Sequence, residues 1–215
     1  MVGRWWWVLA SAAVTVSQPG PAQRPRPALT ITVPVRDSLT RAGPVVRASH
    51  VVNDPGVREL LSHGFPVRLH YRVELWSTAG WFDDQLAVDE WDIVARFDPL
   101  REMYEAVRLY RDSVTQLGTF KSFTEAVAEI ERPARAALVA RSGGEQYYNA
   151  VLTRSMLSVT DLDELQRWLS GDLSPAVRGR RNPGTALGRG LRTLFTRLLG
   201  GETRTLEAQS ERFRP

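Results

Sequence analysis

Between Phe65 and Phe97 apolar and polar positions alternate more regularly than anywhere else in the chain. Val67, Leu69, Tyr71, Val73 and Leu75 are separated by Arg68, His70, Arg72, Glu74 and Trp76. That period of two gives a strand one dry face and one wet face. A turn with the sequence TAGWFDDQ follows, and then a returning arm, LAVDEWDIVARF. On this arm Trp91, Ile93, Ala95 and Phe97 share a face while Leu86 and Val88 fall on the other. A β-bulge near Asp89 or Glu90 would restore the phase and bring both sets inward. Arms of this length exceed an ordinary strand, so the pattern predicts a bent hairpin that contributes to two packed sheets and is roofed on its dry side.

The remaining pattern supplies the roof. LTITVPV at 29–35 reads as a strand that Pro34 pushes to a sheet edge, and 45–52 as a second strand. Asp54 caps a short helix that starts at Pro55, runs through Val57, Leu60 and Leu61, and stops at Gly64. Residues 102–111 fit helix or strand, with strand favoured by their aromatics, and 114–120 add a short strand or turn. Ser122 and Glu125 have the spacing of a capping box, and Phe123, Ala126, Val127 and Ile130 form the apolar stripe of a helix that ends before Pro133. Residues 134–141 and 147–159 read as a second hairpin turning at Ser142-Gly143-Gly144, with Tyr147, Val151, Leu157 and Val159 on one side. A last short helix runs from Asp161 through Trp168 to Gly171. The predicted class is mainly β: an antiparallel, sandwich-like domain over 29–171 with two or three short helices. Residues 172–186, rich in Pro, Gly and Arg, read as a linker, 187–200 as a basic amphipathic helix and 201–215 as a tail.

Composition changes this picture in two places. With 215 residues and 43% hydrophobic content there is material for one core-forming domain, and the absence of cysteine excludes disulfides, thiolate metal sites and cysteine nucleophiles. The net charge of +4 is unevenly spread: residues 175–215 carry nine Arg against Glu202, Glu207 and Glu211, whereas 24–174 carry a net −3. The high isoelectric point therefore belongs to the end of the chain, and the body is slightly acidic.

Residues 1–23 show a positive start at Arg4, an apolar run from Trp5 to Val16, and a small-residue region ending near Ala22 and Gln23, the layout of a secretory signal peptide, with 24–28 as linker. The run of 12 residues is short of the roughly 20 that span a bilayer as a helix. The reading is export to the periplasm or cell envelope. The short helix before Gly64-Phe65-Pro66, the Trp-containing hairpin turn, the Gly118–Ala126 segment GTFKSFTEA and the final strand before a Leu-rich close resemble the DUF4390 family, exported bacterial proteins of unknown function. The resemblance covers about residues 29–170 and implies a β-rich extracytoplasmic domain. It carries no catalytic residues across.

Candidate chemistry is sparse. His70 lies on the wet face beside Arg68, Arg72 and Glu74, but Glu74 is about 13 Å along the strand, too far to orient it. Asp83, Asp84, Asp89, Glu90 and Asp92 offer oxygens to Ca²⁺ without the spacing of a calcium loop, and read as turn and solvated face. Nucleophile-elbow, S-x-x-K and phosphate-loop motifs are missing. No cofactor or metal is implied. Trp76, Trp81, Phe82 and Trp91 gather in sequence around the hairpin turn, and Trp76, Trp81 and Phe82 are the candidate partner-binding residues. Leu191, Leu194 and Phe195, interleaved with Arg189, Arg192 and Arg197, are candidates for an anionic membrane surface. Nucleic acid fits the arginines but conflicts with export and with the acidic body. The sequence therefore points to a non-enzymatic cell-envelope interaction domain with a protein or membrane partner. Its alternatives are a small-ligand or lipid-binding domain with a cavity between the sheets, and an acid/base hydrolase built from dispersed carboxylates.

Overall fold

The computed structural model describes residues 25–78, 81–156 and 203–215. In chain order they form β1 (Ala28–Thr32), a 3-10 turn (Arg36–Ser38), β2 (Val45–Ser49), α1 (Pro55–Ser62), β3 (Val67–Ser77), β4 (Asp84–Asp98), β5 (Met103–Tyr110), β6 (Ser113–Phe120), α2 (Phe123–Ile130), β7 (Ala134–Arg135), β8 (Gln146–Met156) and β9 (Arg204–Gln209). Among the described residues the strands make two antiparallel sheets, one in the order β1-β2-β7 and one in the order β6-β5-β4-β3-β8-β9. The smaller sheet lies with β1 against β8 and β9, while α2 covers β5 and β6 and α1 meets β4. One face of the six-stranded sheet is thus roofed from both sides, giving the mainly β, sandwich-like class that the alternation predicts.

The local signals act as their chemistry dictates. Asp54 accepts a hydrogen bond from the Gly56 N–H, with Pro55 opening α1. Ser122 and Glu125 close a reciprocal capping box, and α2 buries Ala126 and Ile130. Residues 102–111, open between helix and strand in sequence, settle as β5 because Val94, Ala95 and Phe97 of β4 offer it a ready partner edge.

Several expectations need correction. The long hairpin does not divide between two sheets: β3 and β4 pair along their whole length inside the larger one. The register shift lies between Leu75 and Trp76, opposite Leu86, and not near Asp89 or Glu90. Asp89 therefore faces the interior, and Val88 stays on the outer face. The second hairpin is absent. β7 pairs with β2, the chain from Ala136 to Ala140 follows the smaller sheet, and β8 crosses to pair with β3. On β8 the inward side chains are Tyr148, Ala150, Leu152 and Arg154, and Tyr147 and Val151 share the other face, as their spacing predicts. Finally, residues 204–209 are no tail. They form β9, which closes the edge of the larger sheet beside β8, and Phe213 continues the contact by pairing with Gln146. Residues 1–23, Leu157, Val159, the helix expected to end at Gly171, the linker 172–186 and the basic stretch 187–200 lie outside the described residues.

Irregular segments between the layers are held by side chains reaching far along the sequence. Glu131 accepts from the backbone N–H of His50 (3.0 Å) and of Val51 (2.8 Å), fixing the turn after β2 in which His50 takes a φ of 56°. The buried Arg154 donates to the Val51 carbonyl, and Asp89 accepts from the Ala137 N–H. These bonds satisfy backbone groups that the sheets leave unpaired in the interior.

Gly43 is where the chain before β2 passes the irregular segment after β7. A β-carbon there would lie 2.0 Å from the Ala136 carbonyl oxygen and 2.5 Å from that of Leu138. Gly43→Ala is expected to destabilise the fold by about 1–3 kcal/mol, the usual cost of overpacking. Phe213→Ala, which removes the ring stacked 5.1 Å from the buried Tyr148, is expected to cost about 1–3 kcal/mol because the site is only partly buried. Urea denaturation of the full chain measures both, and a wild-type midpoint for Phe213→Ala would show that the C-terminal segment does not belong to the fold.

Candidate functional site

β3 ends at Ser77 and β4 begins at Asp84, and the base of the turn between them is anchored by a hydrogen bond from the Thr78 N–H to the Glu145 carbonyl. At the tip Trp81 is 100% exposed and Phe82 85% exposed. Next to them Asp83 accepts from the Tyr147 hydroxyl at 2.9 Å. The other two tryptophans gathered here in sequence go elsewhere. Trp91, 2% exposed, stacks on Tyr71 in the interior with centroids 5.0 Å apart. Trp76 is half-buried on the outer face, its indole N–H donating to Glu74, its ring nearly parallel to Tyr147. Of the three candidate partner-binding residues, the structure brings Trp81 and Phe82 together and sets Trp76 apart. Arg189, Leu191, Arg192, Leu194, Phe195 and Arg197 lie outside the described residues.

Behind the tip, the outer face of the hairpin is a lattice of ion pairs. His70 and Asp92 are direct cross-strand partners, and one Asp92 oxygen receives His70 Nδ1 at 2.9 Å and Arg68 Nε at 2.8 Å. Arg72 bridges Glu74 at 2.6 Å and Glu90 at 2.5 Å. Arg96 reaches Glu105 on β5 through two nitrogens. Measuring His70 against Glu74 on its own strand misses Asp92 on the other arm, because the opposite residue depends on where the bulge falls. The five acidic residues of the turn and return arm do not converge: Asp83 binds Tyr147, Asp84 is exposed at the start of β4, Asp89 faces inward, Glu90 meets Arg72 and Asp92 meets Arg68 and His70.

Burial would push the Asp92 carboxyl up, but the His70 hydrogen bond and the Arg68 charge outweigh it and hold the group below its ordinary 3.8. Glu74 follows the same logic. Burial raises it, while the hydrogen bonds from Arg72 and Trp76, the Arg72 charge and the Asn149 contact bring it below 4.5. Tyr147 is shifted the other way, by burial first and then by its bond to the Asp83 carboxylate. With each carboxylate holding a cation or a donor, the face is built to stay ionised and fixed.

A carboxylate with a depressed folded pKa stabilises the protein above its ordinary pKa, and that contribution disappears as pH falls through the depressed value. Stability should therefore drop as pH is lowered below about 4, in part through Asp92. Asp92→Asn is expected to cost about 1–3 kcal/mol near neutral pH, the order of a hydrogen bond to a charged group, and to flatten the acid limb. Urea midpoints from about pH 7 to pH 3 measure both effects; an unchanged acid limb in the variant would remove Asp92 from the account.

The chain matches DUF4390, a domain of unknown function, over residues 41–169, more than half of its length. No curated protein and no solved structure matches it. The matched range contains the hairpin, its tip and the ion-pair lattice, whereas β1 and β9 lie outside it. A capped helix, a long hairpin with an aromatic turn, a second capped helix and a final long strand all fall within the matched range, and the chain belongs to the DUF4390 family.

Proposed function

We propose that this protein is a non-enzymatic domain of the cell envelope that binds a protein partner through its hairpin tip. One observation carries the reading: Trp81 and Phe82 stand side by side in water at the end of an anchored hairpin. Leaving a large aromatic side chain exposed forgoes about 1.5–3 kcal/mol of burial, and adjacent exposed aromatics on a fixed loop are a common form of binding hot spot. Asp83 and Asp84 follow directly, so the tip is better suited to a protein surface than to an anionic bilayer. Export rests on the layout of residues 1–23. No helix among the described residues is long and apolar enough to cross a membrane.

The alternatives have less support. A ligand cavity between the sheets competes for space with Leu69, Tyr71, Leu75, Trp91, Tyr148 and Leu152, which fill that interior. A carboxylate hydrolase needs a free acid and base, and Asp92, Glu74 and Glu90 are each bound to a guanidinium. A second contact, between an anionic lipid surface and the arginines of 187–200, is supported by their spacing among leucines.

Affinity capture from envelope fractions with the full chain and with a Trp81→Ala, Phe82→Ala double variant tests the tip. The variant is expected to keep wild-type stability within about 0.5 kcal/mol and to lose about tenfold or more of the captured partner. Equal recovery by both forms, or a cytosolic location of the full chain, would overturn the proposal. Deleting residues 175–215 cannot test the lipid contact, since it also removes β9. Charge reversal at Arg189, Arg192 and Arg197 keeps the strand, and should abolish sedimentation with phosphatidylglycerol vesicles.

A further inference from the structure

Trp76, Tyr147, Asn149, Glu207, Ala208 and Gln209 line an open groove of about 400 Å³ on the outer face, where β3, β8 and β9 run side by side. Trp76 and Tyr147 are direct cross-strand partners whose rings lie within 8° of parallel, with centroids 6.4 Å apart. Inserting a ligand ring between them would need about 7–8 Å, two van der Waals separations, so the two rings act as one offset platform. Each ring is tied at its polar end. The Trp76 N–H is held by Glu74, itself fixed by Arg72, and the Tyr147 hydroxyl is held by Asp83. The platform is therefore set before any ligand arrives, which lowers the ordering cost of binding.

The rim decides the ligand class. β9 places the exposed Glu207 and Gln209 side chains beside the rings, and Asn149 lies directly opposite Gln209 on β8. Carboxylate and carboxamide oxygens accept, and carboxamide N–H groups donate, so the rim offers both halves of the bonds that hydroxyl groups make. Among the described residues no cation lines the groove. The nearby Arg72 is engaged with Glu74 and Glu90, and Arg212 with Glu145, so phosphates and other anions find no countercharge. A flat apolar platform edged by neutral and acidic oxygens fits a molecule with one C–H face and a ring of hydroxyls. From this we infer that the groove is a saccharide-binding site, in which a pyranose lies on the half-buried Trp76 ring, backed by the buried Tyr147, and its hydroxyls bond to Asn149, Glu207 and Gln209. The site is separate from Trp81 and Phe82 and does not rest on the partner proposed for them.

Isothermal titration of the full chain with chitotetraose and cellotetraose tests the inference, with tetramethylammonium as a cationic probe for the same rings. Saturable binding of at least one oligosaccharide is expected, weakened about tenfold or more by Trp76→Ala, as for a central aromatic contact. Glu207→Gln and Gln209→Ala, at exposed positions that do not threaten folding, should each weaken it about threefold or more, the order of one lost hydrogen bond. The Trp81→Ala, Phe82→Ala form should bind as wild type does, so that failure at the groove and failure at the tip are told apart. No heat with either oligosaccharide at millimolar concentration would overturn the assignment. So would oligosaccharide binding that survives all three groove variants, or tighter binding of tetramethylammonium than of either sugar.

Discussion

Strand β3 is hydrogen-bonded along its length on both sides, by β4 and by β8, and every apolar side chain on its dry face is sealed from water. Val67, Leu69, Tyr71, Val73 and Leu75 form a row against which the small sheet and α1 are assembled, with the Tyr71–Trp91 stack at its middle. Because alternation has a period of two, sliding either neighbour by one residue would turn that row against a charged one. Register on β3 is thus the constraint from which the rest follows. It fixes Asp92 opposite His70, Glu90 opposite Arg72 and Tyr147 opposite Trp76 on the wet face at the same time as it fills the dry one.

The wet face is more than a solvated surface. Its ions come in opposed cross-strand sets, and Asp92 retains only 15% of its side-chain exposure while accepting from two partners. Pairs in such positions contribute modestly to net stability, since desolvation offsets much of their attraction. Their stronger effect is on specificity, because a shifted register would leave a half-buried carboxylate without its cation. The hydrophobic row and the ionic lattice select the same pairing from opposite sides of the sheet, a consistency across levels expected of a sequence that specifies one structure.

What could be read from the sequence was whatever is local. The alternation of 67–75, the Asp54 cap with Pro55 and the Ser122–Glu125 capping box depend on residues within a turn or two of each other, and each stands as its spacing predicts. What escaped was set by distant partners. The bulge lies at Leu86 because the dry face needs Ala87 opposite Leu75, a demand that only the paired arms reveal. Ser142-Gly143-Gly144 marks a real turn, yet the strands beside it enter different layers, since β7 can pair with β2 and β8 with the open edge of β3. Local turn chemistry does not state which sheet receives the chain. β9 was missed for the same reason: Arg204–Gln209 alternates weakly, and its place is defined by β8, nearly fifty residues earlier. Of the candidate site, the exposed Trp81-Phe82 pair was legible because Gly80 and the two aspartates mark a turn, while the place of Tyr147 opposite Trp76 was hidden because the pairing of β8 with β3 joins distant residues.

The distribution of aromatic residues gives the functional reading its direction. Tyr71, Trp91 and Tyr148 are spent on the interior, where they are stacked or buried. Trp76 is half-buried and Tyr147 buried against it, with their polar ends fixed and both beside a groove. Trp81 and Phe82 are wholly outside. The neighbouring strands β8, β3 and β4 thus carry aromatic side chains from core to groove to tip, and Asp83 links the last two by binding Tyr147 from the residue after Phe82. Folding explains the first group, since removing those rings would open cavities in the core. It does not account for the tip, whose side chains touch nothing that the fold needs and whose exposure burdens solubility. A feature that the fold does not require, held on a hairpin whose register is doubly fixed, is the observation on which the proposed contact with a partner rests.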